Sequence, residues 1–486
     1  LIGWEREPFE LINEGHFQVT KPGPLHAPVH SFSIRRNEKL DIILETRGPA
    51  DAKSSAPEVP SGTVRLNTDT VELTNIAGIK AVLSGIQPYS FKTSHHYGEN
   101  RHVLTEEARA HRIDAVIGVG KEPAYIIDWV DNVPGSFHWP DTIRTDVSTI
   151  TTRSIAENND GITLTSSEGR EGFGKHAAKL VVAGATVFLC VLDREEADGR
   201  LRPGCIIYVG APDQEFRKRV RNALSFALGA FLVDLGSVAY TDEWAVQSFR
   251  LNSAYSIGRR VFDLQVLHPA PLHMNWQHGI DRVPLNRIVN AIVEKYDEID
   301  FGNLGWAYWH ALCATPHIAG VHFGAAIEAL QRRYIAANPT KIQTKIIDDR
   351  ALWSKFSDAV DGVIANSALP EESKAALRQN IGSLNKVHQK AKMDALLRDL
   401  GIVLGPEEAL AWKRRNDAAH GNEMEAGGEL SLIQDNKLLK VVFHRMLLRI
   451  TNASDLYFDY ATPGFPIRRL VEPSSSASVI LPGRSS

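Results

Sequence analysis

The sequence predicts an α+β multidomain chain: a β-rich N-terminal domain over residues 1–283, an all-α helical bundle over 284–470, and a flexible tail over 471–486. Three observations carry this. At 486 residues the chain exceeds the size at which one hydrophobic core keeps growing. Up to about residue 283, short β-branched or aromatic runs alternate with Gly, Pro, Asn and Asp. From Pro284 onward, apolar residues recur at spacings of three and four, the period of a helix.

Taken in order, Lys39–Arg47, Thr63–Leu66, Val71–Leu73, Ala115–Val119, Ala124–Val130 and Val147–Thr152 read as strands. Gly48–Gly62, with its prolines and small residues, reads as a surface loop or linker. One helix interrupts the β-rich half: from Glu215 to Leu235, Phe216, Val220, Ala223, Leu224, Ala227, Phe231 and Leu235 recur with helical spacing. In the second half, helices are expected at Leu285–Ile299, Leu304–Leu312, Ala319–Ala336, Ile346–Asn366, Glu371–Gly401 and Asn436–Asn452, with Gly382 interrupting the fifth. Pro284, Pro316, Pro370 and Pro406 fall near starts and breaks, where proline is tolerated. The Ser-rich Val471–Ser486 reads as a frayed tail.

Composition excludes several classes. Hydrophobic residues make up 43% and charged residues 23%, the mixture of a globular protein and not of a disordered or collagen-like one. The longest apolar run, Leu180–Leu192, is about 13 residues, short of the ~18–20 that span a bilayer. Nothing near Leu1 resembles a secretory leader, and the sequence begins without an initiator Met. Cys190, Cys205 and Cys313 lack C-x-x-C spacing and suit reduced core thiols, so a cytoplasmic location without membrane contact is expected. The net charge of −4 argues against a protein coated for nucleic-acid binding.

One motif qualifies that last inference. Lys413-Arg414-Arg415-Asn416-x-x-x-His420-Gly421 concentrates basic charge beside a histidine. Asn416 and His420 are four apart, on one face if the segment is helical. Gly421 suits a helix end, which places His420 in the last turn, where the helix dipole favours imidazolium. Arg415 lies about 140° around such a helix from His420, so one helix aims both at one atom only awkwardly. A second copy across a two-fold axis completes the group, and a homodimer is expected. These side chains suit metal-free cleavage of an RNA phosphodiester. His420 serves as base or acid, Arg415 stabilises phosphate charge, and Asn416 orients His420 or donates to a phosphate oxygen. Lys413 and Arg414 position the substrate. No cofactor and no metal are called for. The bland alternative is a solvated, well-capped helix end. A looser pair of the same kind, Arg170 and His176, lies in a Gly-rich stretch read as joining two strands, and is discounted.

Arg415-Asn416-Asp417-Ala418-Ala419-His420-Gly421 resembles the signature of the HEPN superfamily of helical domains, found in many prokaryotic ribonucleases. Gly324-Ala-Ala-Ile-Glu328-Ala-Leu330 looks like the early helix that carries a Glu in the ApeA-like branch. Leu447–Ile450 with Tyr457–Tyr460 looks like that branch's closing helix and aromatic end. The resemblance covers roughly residues 285–465; Ala223–Gly229 extends it more weakly upstream. It implies a dimerising helical bundle with metal-independent endoribonuclease activity from Arg415 and His420, with Asn416 as polar follower. It further implies an antiviral-defence, abortive-infection or toxin role, with a phage-derived or antitoxin trigger acting on an N-terminal sensor or regulatory domain. Some HEPN domains have lost catalysis, so a non-catalytic regulatory, nucleotide-binding or dimerisation protein is the alternative.

Other signals take bland readings. His95, His96 and His102, and separately His268, His273 and His278, lack a fixed further ligand and read as ordinary polar loops. A His-dependent metalloenzyme is therefore the weakest hypothesis. Gly118-Val-Gly120-Lys121 lacks the spacing of a phosphate loop. Arg217, Lys218, Arg219 and Arg221 read as a solvated helix face. Residues 285–470 hold about 23 Lys and Arg against 22 Asp and Glu. The positive charge is thus focused at the motif, where doubling in a dimer draws RNA into a cleft.

Overall fold

The computed structural model describes residues 6–54, 69–96, 101–118, 122–134, 139–157, 160–192, 202–254, 271, 274–275, 279–415 and 428–474. The chain is an α+β multidomain protein of two units, Leu1–Val293 and Glu294–Ser486.

The first unit begins with α1 (Arg6–Glu14), β1 (Gln18–Lys21), β2 (His26–Ala27), β3 (Ser31–Arg36), β4 (Ile42–Pro49), β5 (Lys53–Ser54), β6 (Thr70–Thr74) and β7 (Lys80–Ser84). Next come β8 (Gln87–His96), β9 (Arg101–Ala110), β10 (Arg112–Val116), β11 (Tyr125–Asp131), β12 (Asp141–Glu157), β13 (Asp160–Val182), β14 (Ala185–Val191) and β15 (Gly204–Val209). Helix α2 (Gln214–Leu228) precedes β16 (Val233–Tyr240), β17 (Val246–Asn252), the short pair β18 (Met274–Asn275) and β19 (Gly279–Ile280), and α3 (Arg282–Glu294).

An eleven-stranded sheet runs β1-β6-β7-β10-β17-β16-β11-β15-β14-β13-β12, and a four-stranded sheet runs β3-β4-β9-β8. Alternation along the strands builds the core between them. Val71, Leu73, Leu83, Ile113 and Leu251 of the large sheet share one buried cluster with Ile34, Ile42, Leu44 and Ala108 of the small one. The cluster also takes in Cys190 and Cys205, which face each other across β14 and β15. Helix α3 is tied to the β13–β14 hairpin, where Asn286 Oδ1 accepts from Val181 N and Asn290 Oδ1 from Ala183 N.

Several expectations change here. The helix expected to reach Leu235 stops at Leu228, because Gly229 adopts φ +63° and closes it; Val233–Tyr240 then joins the sheet. Asp213 caps the other end by accepting from Phe216 N at 2.7 Å. The supposedly solvated basic face is half wrong. Arg217 and Arg221 are turned inward, only 12% and 13% exposed, where Arg217 pairs with Asp128 and Arg221 with Asp234. Arg170 and His176 lie within β13, not between strands. Gly48 and Pro49, expected in a loop, end β4. Thr63–Leu66, Val119–Lys121, His268, His273 and His278 lie outside the described residues.

The second unit comprises α4 (Phe301–Cys313), α5 (Pro316–Ala337), α6 (Arg350–Ala365), α7 (Glu371–Ile381), α8 (Gln389–Leu400), α9 (Pro406–Arg414) and α10 (Glu429–Thr451). A short ribbon, β20 (Leu456–Phe458) with β21 (Ile467–Arg469), closes it. Glu371–Gly401 divides at Gly382 into α7, a 3-10 turn and α8. The core lies where α4, α5 and α10 meet: Tyr308 stacks on Phe443 at 5.3 Å and meets Phe323 edge-on. Its hydroxyl lies 2.9 Å from Nε2 of His444, which burial first, and then Lys440, keeps neutral by pushing its pKa far down. No helix among the described residues is long and apolar enough to cross a membrane.

Candidate functional site

Helix α9 delivers the basic motif, and both of its ends are fixed by ion pairs. At the start, Pro406 supplies the preset φ of a first helical residue, and Glu408 accepts from Gly405 N at 2.9 Å. Glu408 is fully buried, as is its partner Arg445, whose Nη1 reaches both carboxylate oxygens at 2.7 and 2.9 Å. Arg445 also donates to Leu470 O and Val403 O, so every side of the pair is occupied.

At the other end, Arg415 is the last described residue before 428 and caps the helix in helical geometry. Its Nη1 donates to Trp412 O at 2.7 Å, and its guanidinium carbon lies 3.6 Å from the centre of the Trp412 ring. Its Nη2 meets Glu328 Oε1 of α5 at 2.5 Å. The two residues are 87 positions apart in sequence. The pair is partly open, with side-chain exposures of 12% for Arg415 and 27% for Glu328. Arg415 Nε is buried, with no hydrogen-bond partner among the described residues.

Two glycines one turn apart on α5 admit this arrangement. A Cβ at Gly324 would stand 2.9 Å from Arg415 Cδ, so the arginine stem runs against bare backbone. A Cβ at Gly320 would stand 3.0 Å from Asn436 Oδ1 of α10. Asn436 Nδ2 in turn donates to Pro316 O at 2.7 Å. The start of α5 is thus held against α10 about two turns into that helix.

Of the residues expected at the site, Lys413 is exposed, and Arg414 lies 3.7 Å from Asp435 and 3.4 Å from Ser431 Oγ. The described helix ends at Arg414, while Asn416, His420 and Gly421 lie outside the described residues. His95 and His102 face each other across β8 and β9 instead of lying in a loop. Among the described residues, no group of three or more His, Cys, Asp or Glu could hold a metal ion.

No family model, curated protein or solved structure matches this chain. Sequence reading picked out Glu328 but missed the other parts that hold Arg415. Trp412 was readable, being three residues before Arg415 and on the neighbouring helical position. Gly320 and Gly324, four apart, gave the spacing at which helices approach closely. Asn436 gave no signal, because a polar residue near a helix start reads as solvated.

Proposed function

We propose that the helical unit is a metal-independent endoribonuclease that works as a homodimer in the cytoplasm, with Arg415, His420 and Asn416 as its catalytic groups. Arg415 holds the scissile phosphate and offsets its growing charge; Lys413 and Arg414 position the RNA backbone. The ribose 2′-oxygen attacks phosphorus as the P–O5′ bond breaks. His420 of one copy takes the 2′ proton, and its counterpart protonates the leaving 5′-oxygen. The products are a 2′,3′-cyclic phosphate and a 5′-hydroxyl. The role is that of an antiviral-defence or toxin effector, with the β-rich unit as the sensor that a phage-derived or antitoxin trigger addresses.

The observation that carries the reading is the Arg415–Glu328 contact. The resemblance singled out both residues, and their side chains are in contact although 87 positions separate them. Glu328 fixes the direction of the guanidinium and keeps it from coiling into solvent.

Purified protein incubated with RNA in excess EDTA tests this. Cleavage to cyclic-phosphate ends that survives chelation and vanishes in His420→Ala supports it. Intact RNA across varied substrates and activating conditions sinks it. In cells, overexpression slows growth and Arg415→Ala relieves the effect; equal toxicity of both proteins counts against the reading.

One observation favours a second reading, a non-catalytic HEPN-type module for regulation or dimerisation. Arg415 is already engaged by Glu328, Trp412 O and the indole face, as a structural arginine would be. Glu328→Gln separates the two: a catalytic Arg415 changes the cleavage rate, and a structural one changes only stability.

A further inference from the structure

The face of the large sheet turned away from the smaller one is only partly covered. Helix α2 lies over the β11–β15 end, where Tyr208 donates to Arg217 O. Beside it a cleft of about 920 Å³ remains open, walled by Gln214 and Arg217 of α2 on one side and by the Ala77–Ile79 turn on the other. That volume suits a small organic molecule, for which pockets run about 300–1,000 Å³.

Strand register builds the floor in two rows. Val82, Asp114, Arg250, Ser237 and Asp128 face one another in line across five strands. Two residues along, Lys80, Val116, Ser248, Ala239 and Ile126 form the next row. The first row is charged and the second is mainly apolar or hydroxylic. Val116 stands in the second with 66% of its surface exposed.

The charges do not balance. Arg250 meets Asp114 at 2.7 Å and Gln214 Oε1 at 2.5 Å, and Arg112 also pairs with Asp114. Arg217 and Arg221 share Asp128, and Arg221 reaches Asp234. Of the charged residues lining the cleft, Lys80, Arg217 and Arg250 are cations and Asp114 is a carboxylate, while Asp128 is buried against Arg217. Arg217 Nε is buried, with no hydrogen-bond partner among the described residues. Burial pushes Asp128 up to about 6 against the pull of Arg217 and Arg221.

We propose that this cleft binds a small organic anion, its phosphate or carboxylate head between Arg217 and Arg250 and its apolar body along Val116, Ala239 and Ile126. Arginine forks suit either head group, and the hydroxyls of Ser237 and Ser248 add donors beside them. The site is complete within one copy of the β-rich unit. It does not rest on the ribonuclease reading, since binding is measured without cleavage.

Isothermal titration of the whole chain tests the proposal with four probes: phenyl phosphate, benzoate, inorganic phosphate and benzyl alcohol. Saturable binding of phenyl phosphate or benzoate is expected, and the tighter of the two identifies the head group. Inorganic phosphate alone and neutral benzyl alcohol should each bind at least about tenfold more weakly, for want of the body or the charge. Arg250→Gln should weaken binding about tenfold. Val116→Glu, at an exposed floor position, should abolish it by placing a negative charge under the ligand. Arg35→Gln, on the other sheet, should leave it unchanged. The proposal is overturned if neither anionic probe saturates by about 10 mM, or if both cleft variants bind like the parent.

Discussion

Helix α9 carries an Arg–Glu pair at each end, and the two differ in almost everything except chemistry. Glu408 and Arg445 are fully buried, with carbonyls and backbone amides completing their hydrogen bonds. Arg415 and Glu328 stay partly open, joined by a single ion-pair contact and steadied by an indole face. A carboxylate–guanidinium pair sealed from water cannot lose one member cheaply, because the survivor remains a buried charge. A pair that reaches solvent loses little when broken. The contrast assigns the first pair to the fold and leaves the second available for chemistry.

The largest expected effect comes from breaking the sealed pair. Glu408→Ala should destabilise the helical unit by about 3–5 kcal/mol, since Arg445 then keeps its charge without a counter-ion. Urea unfolding followed by far-ultraviolet circular dichroism reads this directly. A loss below about 1 kcal/mol would place this pair in the same class as the open one.

Breaking the open pair should do the reverse. Arg415→Ala should cost about 1–2 kcal/mol of stability, less than the sealed pair, while cutting the proposed RNA cleavage by about 10²–10³-fold. Comparable unfolding of Arg415→Ala and Glu408→Ala would erase the distinction between the pairs. A gentler version acts through the neighbouring backbone. Gly324→Ala places a methyl 2.9 Å from Arg415 Cδ and must move the arginine stem. Cleavage should fall about tenfold, as for a displaced positioning group, with the unfolding midpoint little changed. Unaltered cleavage would show that the arginine stem's path does not matter.

How much of this was legible in the sequence follows from the same contrast. The switch from strand to helix near residue 284 shows in hydrophobic period, and so do most helix centres. Arg415 and Glu328 were each visible in a local pattern, but their contact was not, because 87 residues separate them and no spacing rule links side chains on different helices. Glu408 and Arg445 were invisible in another way. Charged residues on amphipathic helices read as solvent-facing, and only the tertiary fold shows that both are buried. Helix α2 gives the plainest case. Phe231 and Leu235 continue its apolar spacing, yet Gly229 in the left-handed region ends the helix and a strand takes over. Periodicity was outvoted by one residue. The inward turn of Arg217 and Arg221 escaped for the same reason as Arg445: their acceptors, Asp128 and Asp234, come from strands that the helix's own sequence does not mention.

A third cation has neither kind of partner. Lys440, one turn before His444 on α10, holds its ammonium 4.5 Å from the Tyr460 ring centre, and among the described residues no carboxylate pairs with it. Burial, reinforced by Lys437, lowers its pKa from 10.5 to about 8. The folded state therefore releases the proton more readily than the unfolded chain. Below about pH 8 both states carry the charge and folding bears the full burial penalty. Between about 8 and 10.5 the unfolded chain binds more protons, so stability rises with pH. Tyr460 stays protonated across this window, because burial pushes its own pKa far up. Lys440→Met keeps the stem against the ring and removes the charge. It should stabilise the unit at pH 7 by on the order of 1–2 kcal/mol, the side chain's remaining contact with water limiting the gain. The difference in stability between variant and parent should then shrink as pH climbs from 8 to 10.5. A difference that stays flat across that range would mean that Lys440 reaches water as freely as the open pair does, and that the Tyr460 face is all the partner it needs.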